Sequence, residues 1–410
     1  MGDRQWTPAV SGKSAEAALR LVAALAGPPR ATPARVRPDL AGGGAGLALA
    51  YHQLDTYRPG EGWGAMADGY LTAAAAGAAS TGTTGPGLYG GLSGPAFAAC
   101  SLTDRHQDLL TDLDARIAAA ATGQAARGTG GVHGVPYRIF DVISGLTGTG
   151  AHLLGRAGDD PAAAGALRAV LTALVTLSGE RAGVPHWFTP VEALRDDEQR
   201  SRFPRGALNC GLSHGMAGPL ALLSLAMADG MRVPGQEEAV RRVVDRLLMQ
   251  RIDDAWGPDW PDLAGVTGIL NSTPAPHSSW CYGSPGVARS VWLAGTALDD
   301  PALQALAVRA VKAALRRPAA RRAAGTTPGL CHGLAGLLQI TLRFAHDTGD
   351  PEFARAAVEL TVQLSQCADR GGGFAQDGPG FLEGAAGVVL ALLAATTRNA
   401  PTWDRVLLLA

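Results

Sequence analysis

Aromatic residues, lysine and net charge are all in short supply. Phe, Trp and Tyr make up 5% of the 410 residues, charged residues 17%, and the formal charge is −1. A chain so balanced has no general field to draw nucleic acid, which is excluded as a main partner. The one basic cluster, Arg316, Arg317, Arg321 and Arg322, reads as a solvated helix end. Nowhere is there a run of the roughly 18 uncharged apolar residues that a membrane span needs. The opening Met1 to Pro8 lacks the apolar core of a secretory signal, and Ala18 to Ala26, broken by Arg20, has the spacing of an amphipathic helix. A cytoplasmic protein is expected. The five cysteines, odd in number and widely scattered, argue against a disulfide framework and for thiol or metal chemistry.

What is abundant is glycine, 55 residues, and apolar side chains, 47% of the chain, ample for a sizeable core. The glycines are patterned. A Gly-x-x-Gly turn leading into an apolar run occurs seven times, starting at Gly43, Gly91, Gly145, Gly215, Gly283, Gly333 and Gly384. Between turns lie segments with apolar residues at i, i+3, i+4 and i+7 and charges opposite: Ala15 to Leu25, Asp104 to Ala119, Pro161 to Leu177, Glu237 to Met249, Pro301 to Leu315 and Pro351 to Leu364. Three open on Asp-Pro (Asp160, Asp300 and Asp350), an aspartate cap followed by proline in the first turn. These are outer helices. The glycine-initiated runs are apolar nearly all round and are inner helices, their glycines letting backbones crowd. An open stack would expose apolar faces at both ends, and no polar capping repeat is present. The expected fold is all-α, a single α/α toroid of seven inner and seven outer helices spanning residues 1–410, with the glycine turns gathered round one cavity. Residues 123–140, 180–209, 252–279 and 370–380 lack helical periodicity and read as long loops on that same face.

If the turns converge, the residues just ahead of each first glycine carry the chemistry. They are Ser144 with Asp141 nearby, His214, Tyr282 with Cys281, His332 with Cys331, and Glu383, whereas Gly42 and Gly90 fill the corresponding places of the first two turns. Cys281, Cys331 and His332 offer two thiolates and an imidazole, the donor set and ligand count of a zinc site with one open position. His214 suits general acid/base work, reaching across the cavity toward the metal, with Asp141 orienting the imidazole. Tyr282 has a hydroxyl to offer an oxyanion, and Glu383 reads as a capping or loop-anchoring carboxylate. Cys100, Cys210 and Cys367 fall outside the register and read as core or boundary thiols.

Taken together, Trp280-Cys-Tyr-Gly-Ser-Pro-Gly286, Leu330-Cys-His-Gly-Leu-Ala-Gly336, Leu212-Ser-His-Gly-Met-Ala-Gly218 and Asp141-Val-Ile-Ser-Gly-Leu-Thr-Gly148 resemble the lanthionine synthetase C-like family, the LanC cyclases. The sevenfold repeat extends that resemblance over essentially the whole chain, whose length is similar to the stand-alone class I cyclases. The resemblance implies Zn2+ on Cys281, Cys331 and His332, and His214 with Asp141 as the acid/base pair. Stand-alone members often carry arginine four residues before the first zinc cysteine. Here that place holds His277, which can still donate a hydrogen bond to an enolate. The loops 123–140 and 180–209 are short for a full inserted peptide-binding domain.

The activity the resemblance implies is addition of a peptide cysteine thiol to dehydroalanine or dehydrobutyrine, closing a lanthionine or methyllanthionine ring. A dehydrated precursor peptide is the implied substrate, and a dehydratase and an exporter are the implied partners. Two other readings stay open from the residues: addition of glutathione or another small thiol to dehydroamino acids in proteins, and a zinc-containing scaffold that binds modified peptides without turnover. A carbohydrate-active toroid would need two suitably spaced carboxylates, and only Asp141 and Glu383 stand in register.

Overall fold

The computed structural model describes residues 5–27, 36–80, 85–102, 106–128, 134–266, 278–318, 321, 327–369 and 378–410. Outer and inner helices alternate along the chain. The outer ones are α1 (Gly12–Ala26), α3 (Trp63–Ser80), α5 (Gln107–Gly128), α7 (Pro161–Leu177), α10 (Gln236–Met249), α12 (Pro301–Arg316) and α14 (Pro351–Asp369). The inner ones are α2 (Gly44–Tyr57), α4 (Ser93–Leu102), α6 (Leu146–Arg156), α9 (Ala217–Ala228), α11 (Ser284–Ala297), α13 (Leu334–Thr348) and α15 (Ala385–Thr396). A short helix α8 (Asp197–Arg202) lies in the loop before α9.

Burial separates the two classes as their composition dictates. Ten of the twelve residues of α9 are buried, whereas α10 buries one stripe, including Ala239, Val240, Val243, Val244 and Leu247. Asp160 accepts from the Ala162 N–H, Asp300 from those of Ala302 and Leu303, and Asp350 from that of Glu352, so all three Asp-Pro pairs act as caps. The outer helix α3 has one charged residue, Asp68, and charge periodicity therefore does not mark it. Helix α5 runs on to Gly128, correcting the loop expected from residue 123. The Ala-rich stretch before it carries the helix through Gln124 to Arg127, good helix formers.

The ring closes through the backbone. Leu40 and Ala41 N–H donate to the Tyr89 carbonyl, Tyr89 to Ile143, Val142 to Ser213, Leu212 to Cys281, Cys281 to Cys331, Leu330 and Cys331 to Leu382, and Leu382 back to Ala41, all at 2.7–3.4 Å. These seven links join each glycine turn to the next and the last to the first. Close approach within each turn explains the second glycine of the motif: a Cβ on Gly148 would fall on the Val142 carbonyl, and one on Gly336 on that of Leu330. Helices α1 and α15 pack together, and α15 also packs on α2, completing the circle.

After α15 the chain turns back into the middle of the inner ring, which the sequence pattern does not anticipate. A 3-10 segment, Thr402–Leu407, fills it. Tyr89 Oη donates to the Val406 carbonyl at 2.9 Å, Trp280 Nε1 to Leu407 at 2.9 Å, and Arg289 Nε and Nη2 to Leu409 at 2.8 and 2.6 Å. Asp404, fully buried, accepts from Gln339 and Arg343. Of the basic cluster, Arg316 is exposed and pairs with Glu352, but Arg317 is buried, which corrects the solvated reading. It bonds Asp254 at 2.8 Å, Ser284 Oγ at 2.7 Å and the carbonyls of Gly257 and Pro258, fastening the loop before α11 to the helix start. Arg322 lies outside the described residues.

Candidate active site

The ring places the position two residues ahead of each first glycine at the turn-to-turn junctions, and the next residue beside the central opening. Cys281 and Cys331 occupy the first kind of place in adjacent turns, and His332 follows. One donor atom each from Cys281, Cys331 and His332 lies within 4.8 Å of the others, so a single ion at about 2.0–2.3 Å from its ligands can touch all three. Cys281 is drawn well below the usual thiol range by hydrogen bonding to Cys331 and then to His332 and Ser279, against the upward push of burial. Cys331, the other end of that shared bond, is pushed up. Ser279 Oγ lies 3.3 Å from Cys281 Sγ. His332 Nδ1 is 3.3 Å from Glu383 Oε1, leaving Nε2 as the nitrogen able to take a metal. The donor set and its supports fit zinc. Glu383 is thus more than a loop anchor; its register position was the signal in the sequence.

His214 stands in the turn next to that of Cys281, beside it along the ring rather than across the cavity, because the Leu212 and Ser213 N–H groups both donate to the Cys281 carbonyl. Its Nδ1 donates to Asp141 Oδ2 at 2.6 Å. Asp141 is almost fully buried, and its Oδ1 accepts the N–H groups of Ser144 and Gly145, both at 2.8 Å. Asp39 performs the same turn-closing task in the first repeat, accepting from Gly42 at 2.8 Å. Of these two turn-closing aspartates, Asp141 uses its second oxygen on a histidine and Asp39 on Arg37. Ser144 itself is exposed.

Tyr282 Oη accepts from Asn209 Nδ2 at 3.1 Å, and burial pushes its own ionisation up, so it stays a neutral donor. Tyr282, Asn209, His214 and Tyr137 open onto one cleft of about 630 Å³. Residues of the loop 180–209 and α8 also line it, as does Asp262, whose carboxyl is pushed up to about 7 by burial, then by Cys281 and Asp259, with Arg202 opposing. Neither Asn209 nor Asp262 stands in the glycine register, which is why the repeat does not point to them. His277 lies outside the described residues. Cys210 is buried with its thiol pushed up by desolvation, and none of the five cysteines is in a disulfide. The reactive residues therefore occupy five consecutive turns, the third to the seventh.

Residues 35–408 match the family model described as lanthionine synthetase C-like protein. The nisin biosynthesis protein NisC of Lactococcus lactis subsp. lactis is 25% identical over 258 residues, 62% of this chain and 60% of that protein, so the match spans less than two thirds of that relative's length. A solved structure, nisin cyclase, superposes with a TM-score of 0.80 at 23% identity over 90% of this chain and 92% of that one, a likeness of fold. With the sevenfold toroid and the match across nearly its full length, the chain belongs to the lanthionine synthetase C-like family.

Proposed function

We propose that the protein is a zinc-dependent lanthipeptide cyclase, one domain over residues 1–410, that adds a peptide cysteine thiol to dehydroalanine or dehydrobutyrine in the same peptide. The observation that carries this reading is the Cys281, Cys331 and His332 cluster one turn along the ring from the His214–Asp141 pair. Cys281, Cys331 and His332 would hold the metal, with Glu383 and Ser279 fixing two of them. Zinc bound there supplies a Lewis acid that lowers the pKa of a substrate thiol and keeps it nucleophilic near neutral pH.

The remaining steps fall to side chains. Sulfur attacks the β-carbon of the dehydro residue, the C=C π pair moves toward the neighbouring carbonyl, and a proton must then reach the α-carbon. His214 is placed to deliver it from Nε2, since Nδ1 is committed to the Asp141 carboxylate, which fixes the orientation of the ring. The proton lost by the thiol balances the one gained at carbon. Tyr282, its oxygen already accepting from Asn209, has its own O–H to donate to the enolate oxygen as charge develops. A cleft of about 630 Å³ beside these groups suits a peptide segment better than a small free thiol.

Ring closure removes a free thiol without changing peptide mass, so N-ethylmaleimide labelling before and after incubation reads it directly. A peptide with one cysteine and one dehydroalanine should lose its labelling site with the intact protein and keep it with Cys281→Ala. Equal closure by both would overturn the reading.

A further inference from the structure

The cleft that His214 and Tyr282 line extends onto a small ribbon of three extended segments. Thr189 pairs with Ala207 through hydrogen bonds of 2.8 and 2.9 Å, and Ala207–Asn209 pairs antiparallel with Leu263–Gly265. Asp262 continues that last segment, its carbonyl accepting from the Cys210 N–H at 3.0 Å. Two polar atoms on this ribbon are buried and have no hydrogen-bond partner among the described residues: Thr189 Oγ1 and Asp262 Oδ1. Both residues line the cleft, and Thr189 is only 1% exposed.

A buried acceptor with nothing to accept from is unfavourable, and a carboxylate in that state more so. The neighbouring charges relieve it only in part, since Arg202 opposes the upward push on the carboxyl but makes no hydrogen bond to Oδ1. Arg195 is held by Asp196 at 3.0 Å, and the guanidinium of Arg202 lies over the Phe203 ring at 5.1 Å. Among the charged residues lining the cleft, Asp196, Glu198 and Asp262 outnumber Arg195 and Arg202. Burial's upward push on the Asp262 carboxyl is what an unpaired site would show. A neutral N–H donor would satisfy one acceptor and leave the negative charge uncompensated. An ammonium or guanidinium group brings several donors and the opposite charge.

We propose that Asp262 and Thr189 form a subsite for a lysine or arginine side chain of the substrate peptide, next to the reacting residues. This rests on the cyclase reading for the substrate's being a peptide. Asp262 is a binding and specificity residue in this account and takes no part in the proton transfer of His214.

The test uses zinc-loaded, full-length protein and unreactive fluorescent peptides with alanine in place of dehydroalanine and serine in place of cysteine. One set carries a lysine at each position within about four residues of the alanine, and a matched set carries norleucine. Anisotropy should show the best lysine peptide binding about tenfold tighter than its norleucine partner, a preference that weakens with added salt. In Asp262→Asn the ratio should fall to within about twofold, with zinc content and circular dichroism unchanged, and Thr189→Val should lie between. Equal binding of both sets by the wild type, no binding of either, or a lysine preference that survives Asp262→Asn overturns the proposal. Should Asp262→Asn not fold, Thr189→Val and the salt dependence decide it. Ring closure by the wild type on a reactive peptide is measured in parallel. Its failure would sink the cyclase reading alone, because the anisotropy contrast needs no turnover.

Discussion

The backbone N–H of Cys281 donates to the carbonyl of Cys331 at 3.1 Å, so the two sulfurs proposed to hold zinc belong to residues that are themselves one link of the seven-membered ring. Their separation is thus set by main-chain pairing. What holds the hooks of the ring in place also holds the donor set together.

Gly336→Ala tests that dependence. The new Cβ would fall on the Leu330 carbonyl, one residue ahead of Cys331, and backbone cannot yield as a side-chain tip can. Destabilisation of about 1–3 kcal/mol is expected, with zinc per chain clearly reduced. Thermal unfolding and metal analysis of the purified variant check it, and full zinc content would show that the hook does not position Cys331.

Asp141→Asn separates turn-building from catalysis. The asparagine oxygen can still accept from Ser144 and Gly145, but its amide would face His214 Nδ1 as a donor and impose the wrong tautomer. Ring closure should slow by about 10²–10⁴-fold with little change in peptide affinity or melting temperature. Single-turnover thiol labelling gives the rate, and an undiminished rate would remove the pair from the mechanism.

The segment filling the inner ring is held by a buried ion pair. Asp404→Ala leaves Arg343, bonded to both carboxylate oxygens at 2.6 and 2.7 Å, without its counter-charge. A loss of about 3–5 kcal/mol is expected on denaturant unfolding. A loss below about 1 kcal/mol would mean that the segment is held by its apolar contacts.

Acid sensitivity should arise partly from Asp347. Burial alone would raise it, but Arg289 at 2.5 Å and then His346 outweigh that and hold it below the usual carboxylate range. The folded value therefore lies under the unfolded one near 3.9. Its stabilising contribution is complete above that pH and is lost as pH falls through the folded value. Melting temperature measured from pH 6 down to about pH 3 should fall less steeply in Asp347→Asn than in the wild type, from a lower starting point. Parallel curves would deny Asp347 this role.

The toroid was legible because glycine at a crowded turn has no substitute: each Gly-x-x-Gly marks a place where a Cβ would strike backbone, so the pattern survives in the sequence. The register then led to Asp141, His214, Tyr282, Cys281, Cys331 and His332, since turns that converge bring equivalent positions together. Helix α3 escaped the charge pattern because its outer face is mostly alanine. Asp262 and Thr189 lie on irregular segments whose pairing is not periodic, and the inward turn of the C-terminal segment depends on contacts with residues such as Tyr89, 317 positions from Val406. Arg317 looked like a surface charge because its partners, Asp254 and Asp259, come from a loop about 60 residues earlier.

The most direct measurement is ring closure by protein stripped of metal and then restored. A peptide bearing one cysteine and one dehydroalanine is incubated with chelator-treated protein and with the same sample after stoichiometric zinc, and remaining thiol is counted by labelling. Closure is expected only after zinc returns, with none regained by Cys281→Ala; closure at the wild-type rate by metal-free protein would show that the reaction does not need the metal.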